Sequence, residues 1–345
     1  MTEIILFPTI FLLSYFGVEA FRRWSRRRKL LDVPNERSSH TNPTPLGGGL
    51  VIVTLGLTAY LIHSNFISDK FSWGYFIGAI LVAGISWLDD LYSVSSLWRF
   101  FVHALAALLV VYTVGYFEEL YVPIFQITQS SRIGGILLTF LWIVWLTNVF
   151  NFMDGIDGIA GMQTVTAGIG WMAAGRLLGA ESVEFYAGIL AFSGLGFLIQ
   201  NWQPARIFMG DVGSAFLGFT FAVLPILAGK EADIAPEKLP VLLLLSAAFY
   251  WLFVFDTVYT FVRRIIEREK FWQAHRSHLY QKLVVAGFSH QFVTILYGGI
   301  SILTIITTVF VMLKENVGEA FLIFVIGFQS LGLLFFTYFL GKKKQ

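Results

Sequence analysis

Ile133-Gly-Gly-Ile-Leu-Leu-Thr-Phe-Leu-Trp-Ile-Val-Trp-Leu-Thr-Asn-Val-Phe150 contains no charged residue and opens directly onto Asn151-Phe-Met-Asp154-Gly-Ile-Asp157-Gly158. A helix on the surface of a water-soluble protein keeps a polar face, and this run has none until Asn148. About 20 mostly apolar residues carry a helix across about 30 Å of hydrocarbon. The stretch therefore reads as a membrane span that delivers two amides and two carboxylates to one membrane surface.

The same pattern recurs along the chain. Runs of span length without central charge lie at about 4–21, 46–64, 71–88, 100–116, 133–150, 159–178, 185–200, 214–228, 239–261, 292–313 and 320–340. The fold class expected is all-α, a polytopic integral membrane protein of about 11 transmembrane helices. The longest connections, 22–45 and 262–291, hold no soluble domain, so residues 1–345 read as a single membrane-embedded unit. Composition agrees, with 56% hydrophobic and 13% charged residues against a charged share of about 25% in soluble domains. A net charge of +2 argues against a nucleic-acid partner, and the absence of cysteine excludes disulfides, iron–sulfur clusters and thiolate zinc sites.

The first run precedes its basic residues and lacks a small-residue cleavage site, so it reads as a retained helix rather than a signal peptide. Cytoplasmic loops are enriched in Lys and Arg. With the N-terminus outside, 18 of the 24 Lys and Arg residues fall on the inner side. An odd number of spans then places the C-terminus in the cytoplasm.

Polar segments with turn chemistry gather on that inner side. They are Asp32-Val-Pro-Asn-Glu-Arg37-Ser-Ser-His40 running to Pro45-Leu-Gly47-Gly48-Gly49, Asp89-Asp90 with Arg99 opening the next span, Asn148 to Gly158, Gly210-Asp211-Val-Gly213-Ser214, and His275-Arg276-Ser-His278. Asp89-Asp90 at a helix C-terminus is unfavourable against the helix dipole, which argues for a specific role. Asn148, Asn151, Asp154 and Asp157 are spaced by three, so a helical backbone would make them neighbours; Asx-Gly pairs equally form ordinary turns. The Gly210–Ser214 segment fits both plain N-capping and an anion held on free backbone N–H groups. Gly47-Gly48-Gly49 fits close helix packing in lipid. Asp256 lies inside a span, where an acid is either functional or paired with a neighbouring helix. His63 and His103 read as structural.

Several carboxylates and a carboxamide on one face, without thiolate, make a hard-cation site suited to Mg²⁺. Arg37, His40, His275, Arg276 and His278 would hold phosphate oxygens around it, with Gly213, Ser214, Asn148 and Asp154 completing the candidate substrate-binding set. The inference is a membrane enzyme acting on a phosphorylated cytoplasmic substrate, its other reactant lying in the lipid. Phosphoryl transfer would ask for little beyond positioning and charge neutralisation.

In this order, Asp-x-Pro-x-x-Arg-x-x-His (Asp32 to His40), Pro-x-Gly-Gly (Pro45 to Gly48), Asp89-Asp90, Asn-x-x-Asn-x-x-Asp-Gly-x-Asp-Gly (Asn148 to Gly158), Gly-Asp-x-Gly-Ser (Gly210 to Ser214) and His-x-x-His (His275 to His278) resemble the polyprenyl-phosphate N-acetylhexosamine-1-phosphate transferases. This superfamily, glycosyltransferase family 4, includes transferases that start O-antigen and enterobacterial common antigen synthesis and the phospho-MurNAc-pentapeptide translocase. The resemblance implies attack of a polyprenyl (undecaprenyl) phosphate oxygen on the β-phosphorus of a UDP-sugar, releasing UMP. It implies that Asp211 and Asn151 hold Mg²⁺, with Mn²⁺ as a substitute. Asp157 would hold the uracil, and Asp89 would position or deprotonate the lipid phosphate, with Asp90 beside it near the metal. Asp89, Asp90 and Asp211 thus form the catalytic set, and His275, Arg276 and His278 face the diphosphate and sugar.

The Ala-His-Arg-Ser-His-Leu-Tyr-Gln stretch looks closer to the O-antigen subgroup than to the translocase, which implies a small amino sugar such as GlcNAc or a 6-deoxy relative. The partners expected are UDP-N-acetylhexosamine, polyprenyl phosphate and membrane lipids, with a homodimer allowed. The location expected is the bacterial inner (plasma) membrane, multi-pass. The rival reading is a transporter for an anionic solute, which would place its polar residues near the bilayer midplane on broken helices; here only Glu19 and Asp256 among the acids lie within spans.

Overall fold

The computed structural model describes residues 2–34, 42–117, 119–122, 127–232, 239–269, 276–314 and 318–341. Arg37, His40 and His275 lie outside the described residues. The described chain is a bundle of α1 (Thr2–Arg28), α2 (Gly49–Phe66), α3 (Trp73–Tyr92), α4 (Ser96–Thr113), α5 (Arg132–Met153), α6 (Ile159–Leu178), α7 (Glu181–Asn201), α8 (Asp211–Glu231), α9 (Leu239–Phe249), α10 (Trp251–Ile266), α11 (Leu279–Val285), α12 (His290–Leu313) and α13 (Glu319–Gly341). Two small antiparallel ladders interrupt the all-α pattern. β1 (Leu31–Asp32) pairs with β2 (Thr44–Pro45), and β3 (Glu119–Val122) pairs with β4 (Ile127–Ser130). The second hairpin replaces a plain loop because Leu120-Tyr-Val122 and Ile127-Thr128 bring β-branched and aromatic residues into short runs.

The helix starts follow local chemistry. Ser131 accepts from the Gly134 N–H at 3.2 Å to cap α5, and Ser289 accepts from the Phe292 N–H at 3.1 Å to cap α12. α6 ends where Gly179 takes φ +74°, a conformation that costs glycine nothing.

Nine helices among the described residues are long and apolar enough to cross a membrane, and a tenth crossing is counted if α9 and α10 act as one span. This count differs from the expected eleven at two places. The ninth run is not continuous, because α9 and α10 meet at Tyr250 at 81°. The sixth, α6, is helical over the full expected range but carries Gln163, Thr164, Thr166 and seven glycines and alanines on its buried side, which lowers its apolarity. Those residues pack α6 against α7 at close range, so lipid does not set its composition.

α8 is the hub. It is buried without interruption from Val212 through Ile226 and packs on α2, α3, α5 and α9. Buried hydroxyls where α3, α7 and α8 meet pair with one another: Tyr75 Oη meets Tyr186 Oη at 2.6 Å and Thr220 Oγ1 at 3.0 Å. The outside inverts the soluble pattern, with Leu12, Phe16, Phe101, Leu108, Phe324, Phe328 and Leu331 exposed. The chain is a multi-pass membrane protein.

Candidate active site

Asp89 and Asp90 form the last turn of α3, which closes when Ser93 takes φ +56° and its N–H bonds the Asp89 carbonyl at 2.9 Å. The chain then re-enters as α4, whose first turn carries Arg99. One Arg99 nitrogen, Nη1, donates to Asp89 Oδ2 at 2.6 Å and to Asp211 Oδ2 at 2.6 Å. Asp211 is the first residue of α8. Its N–H donates to Asp90 Oδ1 at 2.8 Å, and the Val212 N–H donates to Asp90 Oδ2 at 3.1 Å. Two carboxylates at an unfavourable helix C-terminus are thus compensated differently. Asp90 is held by the unpaired donors of another helix's N-terminus, and Asp89 by a guanidinium.

Asn151 reaches the same place from the end of α5. Its Nδ2 donates to Ser214 Oγ at 3.1 Å, its side chain also lies against the Asp211 carboxylate, and Ser214 Oγ donates to the Gly210 carbonyl at 3.2 Å. Asp154 ends α5 as its C-cap. Burial, followed by the nearby charges of Asp211, Asp90 and Asp157, pushes its carboxyl up to about 8. Four carboxylates, Asp89, Asp90, Asp154 and Asp211, therefore gather here, and two of them, Asp89 and Asp211, share the Arg99 guanidinium.

The three-residue spacing holds only as far as Asp154. The helix stops at Met153, Gly155 and Ile156 turn the chain, and Asp157 points elsewhere. Its Oδ2 accepts from the Ala205 N–H at 3.1 Å, and its Oδ1 lies 3.4 Å from His290 Nδ1. Gly158 at φ +83° starts α6, its N–H held by Asn201 Oδ1 at 2.8 Å. Asn148 turns inward along its own helix, donating to the Val144 carbonyl at 2.7 Å.

The loop before α11 is fixed from below. Asp256 on α10 is fully buried; it accepts from the Leu279 N–H at 2.8 Å, the Tyr280 N–H at 3.2 Å and the Tyr297 hydroxyl at 2.8 Å, and lies 3.1 Å from His278 Nδ1. His278 is therefore directed at Asp256 rather than at the carboxylate cluster. Asp256 has the structural partners that were one of its two sequence readings. Tyr280 Oη donates to the Phe152 carbonyl at 3.1 Å, so the loop lies over the Asp154 turn. A Cβ at Gly155 would stand 2.2 Å from Tyr280 Oη. Arg276 is half-buried at the start of this described segment.

Gly47-Gly48-Gly49 packs backbone on backbone. The Gly48 and Gly49 N–H groups donate to the Phe208 and Met209 carbonyls at 2.9 and 2.8 Å. A Cβ at Gly49 would come within 2.4 Å of Gly213 Cα, so Gly213 serves this crossing directly.

The structure thus joins Asp89, Asp90, Asn151, Asp154, Asp211 and Ser214 in one cluster, and it sets Asp157, Asn148 and His278 on separate partners. Sequence reasoning noted Arg99 but gave it no role, although an arginine ten residues after an Asp-Asp pair, opening the next span, was visible. It missed Asn201 and His290, which carry no local signal. Among the described residues no three His, Cys, Asp or Glu side chains form a ready-made metal cage. The acids gather at helix ends rather than at mid-helix breaks, which gives the transporter reading no support.

Comparison with known proteins adds an independent line. The glycosyl transferase family 4 profile matches residues 72–229, which include Asp89, Asp90, Arg99, Asn151, Asp154 and Asp211. A decaprenyl-phosphate N-acetylglucosaminephosphotransferase of Mycolicibacterium smegmatis is 30% identical over 306 residues, covering 82% of this chain and 75% of its own length. A probable undecaprenyl-phosphate N-acetylglucosaminyl 1-phosphate transferase of Bacillus subtilis is 29% identical over 265 residues, 76% of this chain and 71% of its own. The Mycobacterium leprae decaprenyl-phosphate enzyme is 29% identical over 313 residues, 84% and 78% respectively.

Proposed function

The chain belongs to glycosyl transferase family 4, and from that membership we propose that it transfers an N-acetylhexosamine 1-phosphate from a UDP-sugar to polyprenyl phosphate, releasing UMP and leaving a polyprenyl-diphospho-sugar. The observation that carries the reading is the Arg99 guanidinium set between Asp89 and Asp211 at the start of α8, beside Asn151. It gives a membrane-embedded protein one surface where phosphates meet both a fixed cation and carboxylates.

The chemistry follows from what these groups can do. A phosphate monoester is largely ionised at pH 7, so the attacking oxygen on the polyprenyl phosphate needs orientation more than deprotonation. Asp89 lies at the α3 end beside the exposed apolar Leu88, Leu91 and Trp98, where a lipid-borne phosphate would arrive. Arg99 supplies the donors for its oxygens. Attack on the β-phosphorus forms the new P–O bond as the bond to the bridging oxygen breaks and its electron pair leaves with UMP. Asp90 holds the α8 N-terminus in register through two backbone bonds, so Asp211 and Ser214 keep their places during the reaction.

The donor set fits Mg²⁺: it is all oxygen, and its carboxylates outnumber its one guanidinium. Mg²⁺ takes one or two carboxylates and fills its sphere with phosphate oxygens and water, which suits a site lacking a three-residue cage. Asp211 and Asn151 would hold it, and when bound it supplies charge neutralisation at the diphosphate.

The topology we propose is eleven crossings with the N-terminus outside and the site in the cytoplasm, in a bacterial plasma membrane. α5 ends at the site, α6 starts there, α7 returns to it through Asn201, and α8 leaves it through Asp211. α6 therefore traverses the same thickness as α7. Release of UMP from a panel of UDP-sugars, with undecaprenyl phosphate and Mg²⁺ added to the purified enzyme, tests the reaction and names the sugar. UMP should form with a UDP-N-acetylhexosamine only when the lipid phosphate is present; no release with any UDP-sugar rejects the proposal.

A further inference from the structure

At the end of the bundle opposite the carboxylates lies a cavity of ≈ 300 Å³ between α2, α3, α7 and α8, lined by Tyr60, Lys70, Ser182, Tyr186, Lys230 and Glu231 among others. We infer that it is a binding site for the phosphodiester headgroup of a membrane phospholipid, with the phosphate taken by Lys70 and Lys230.

Three observations carry this. First, the two acids of the lining differ: Asp69 is exposed beside Lys70, whereas Glu231 is held by backbone donors. The Glu231 carboxylate is already engaged, accepting from the Ser182 N–H at 2.9 Å and the Val183 N–H at 3.3 Å at the start of α7. Lys70 and Lys230 both line the cavity and are exposed on its rim. Second, the Ser182 hydroxyl is buried in the cavity wall and has no hydrogen-bond partner among the described residues. A buried hydroxyl left unpaired costs about 1–3 kcal/mol, and a phosphate oxygen would satisfy it. Third, the mouth is bordered by exposed apolar side chains. Phe66, Ile67 and Trp73 flank the α2–α3 turn with exposures of 82%, 69% and 64%. Such an apolar rim with a Trp is the chemistry of a bilayer interface, and it offers a lie for acyl chains that a water-borne anion has no use for.

The site has mechanical reach. The four helices that wall it are those whose other ends carry Gly49, Asp89 and Asp90, Asn201, and Asp211. A headgroup bridging Lys70 on the α2–α3 turn and Lys230 on α8 ties these helices together one membrane thickness away from the carboxylates.

The test uses full-length protein stripped of lipid in detergent. Adding a dipalmitoyl phosphatidylglycerol–detergent mixture should raise the unfolding temperature saturably, and native mass spectrometry should show one tightly retained lipid. The Lys70→Ala/Lys230→Ala double variant should lose that retention at least tenfold. Lys29→Ala, which removes a cation from the far end, should retain lipid as the unaltered protein does. Dipalmitoylglycerol, which has the chains but no phosphate, should not reproduce the shift, nor should inorganic phosphate or glycerol phosphate at the same concentration. An equal shift with dipalmitoylglycerol would reduce the site to apolar contact, an equal shift with inorganic phosphate would make it a free-anion site, and unchanged retention in the double variant would remove the lysines. Each of these outcomes overturns the inference.

Discussion

Arg99 is the residue on which the carboxylate cluster turns. Its Nη1 is shared between Asp89 and Asp211 at 2.6 Å each, so its loss leaves both acids without their counter-charge. Arg99→Ala should lower kcat/KM by about 10²–10³, the usual cost of removing one principal electrostatic stabiliser. Arg99→Lys should recover only part of this, because an ammonium lacks the planar fork that meets a phosphate and a carboxylate together. Steady-state kinetics with each substrate varied in turn checks this, and unaltered constants in Arg99→Ala would leave the arginine a structural pairing only. Asp154 sets a pH dependence. Its carboxyl, pushed up to about 8 by burial and by Asp211, Asp90 and Asp157, is mostly protonated at pH 7. A cation nearby favours the ionised form, so the proposed Mg²⁺ would expel the proton on binding, and affinity should strengthen as pH rises toward 8 and level off above it. One proton released corresponds to a tenfold change per pH unit at the limit. Calorimetric titration of Mg²⁺ in two buffers of different ionisation enthalpy should report proton release near pH 7 that disappears in Asp154→Asn.

The ninth apolar run departs from a regular helix, and the departure serves the site. The break between α9 and α10 frees the Phe249 carbonyl, which Gln163 Nε2 on α6 takes at 2.8 Å. Beyond the break, α10 brings Asp256 beneath the His278–Tyr280 segment. Asp256 gathers two backbone N–H groups, the Tyr297 hydroxyl and the His278 ring, and an asparagine in its place cannot accept from all of them. Asp256→Asn should leave one or more buried donors unpaired at about 1–3 kcal/mol each and should loosen the segment. The expected result is faster tryptic cleavage near Arg276 together with a raised KM for UDP-sugar and a smaller change in kcat. Loss of kcat alone, with protease resistance retained, would place Asp256 in the chemistry instead. The element-scale argument also explains Gly213, whose absent side chain admits the α2 backbone rather than a ligand.

At the scale of the whole molecule, all carboxylates of the cluster lie at one end and the lysine-lined cavity at the other, which makes sidedness testable. Single cysteines at Ser93 and Ser277 fall at the carboxylate end and one at Ala232 falls at the far end of α8. In intact cells the first two should resist a membrane-impermeant thiol reagent and the third should react, since the native chain has no cysteine to interfere. The reverse pattern would put the site outside, away from cytosolic nucleotide sugars.

What the sequence determined by itself was the membrane class, nearly every helix, and the set of polar segments that meet at one surface. Hydrocarbon makes this possible: each span must satisfy its own backbone hydrogen bonds and be apolar over its length, so local composition is sufficient evidence. The expected run 159–178 is α6 to the residue. The bend at Tyr250 was not legible, because neither Pro nor Gly marks it and the group that stabilises it, Gln163, lies 86 residues away. The same holds inside the site. Motif order placed Asp89, Asp90, Asn151 and Asp211 on one face, yet which carboxylate meets Arg99, and which one caps α8, depends on side chains 112 and 121 residues apart in the chain. Those choices are made by the close crossing of α2 over α8 at Gly49 and Gly213 and by the turn at Gly155. Backbone approach of that kind is a property of packed helices, and no local pattern of residues encodes it.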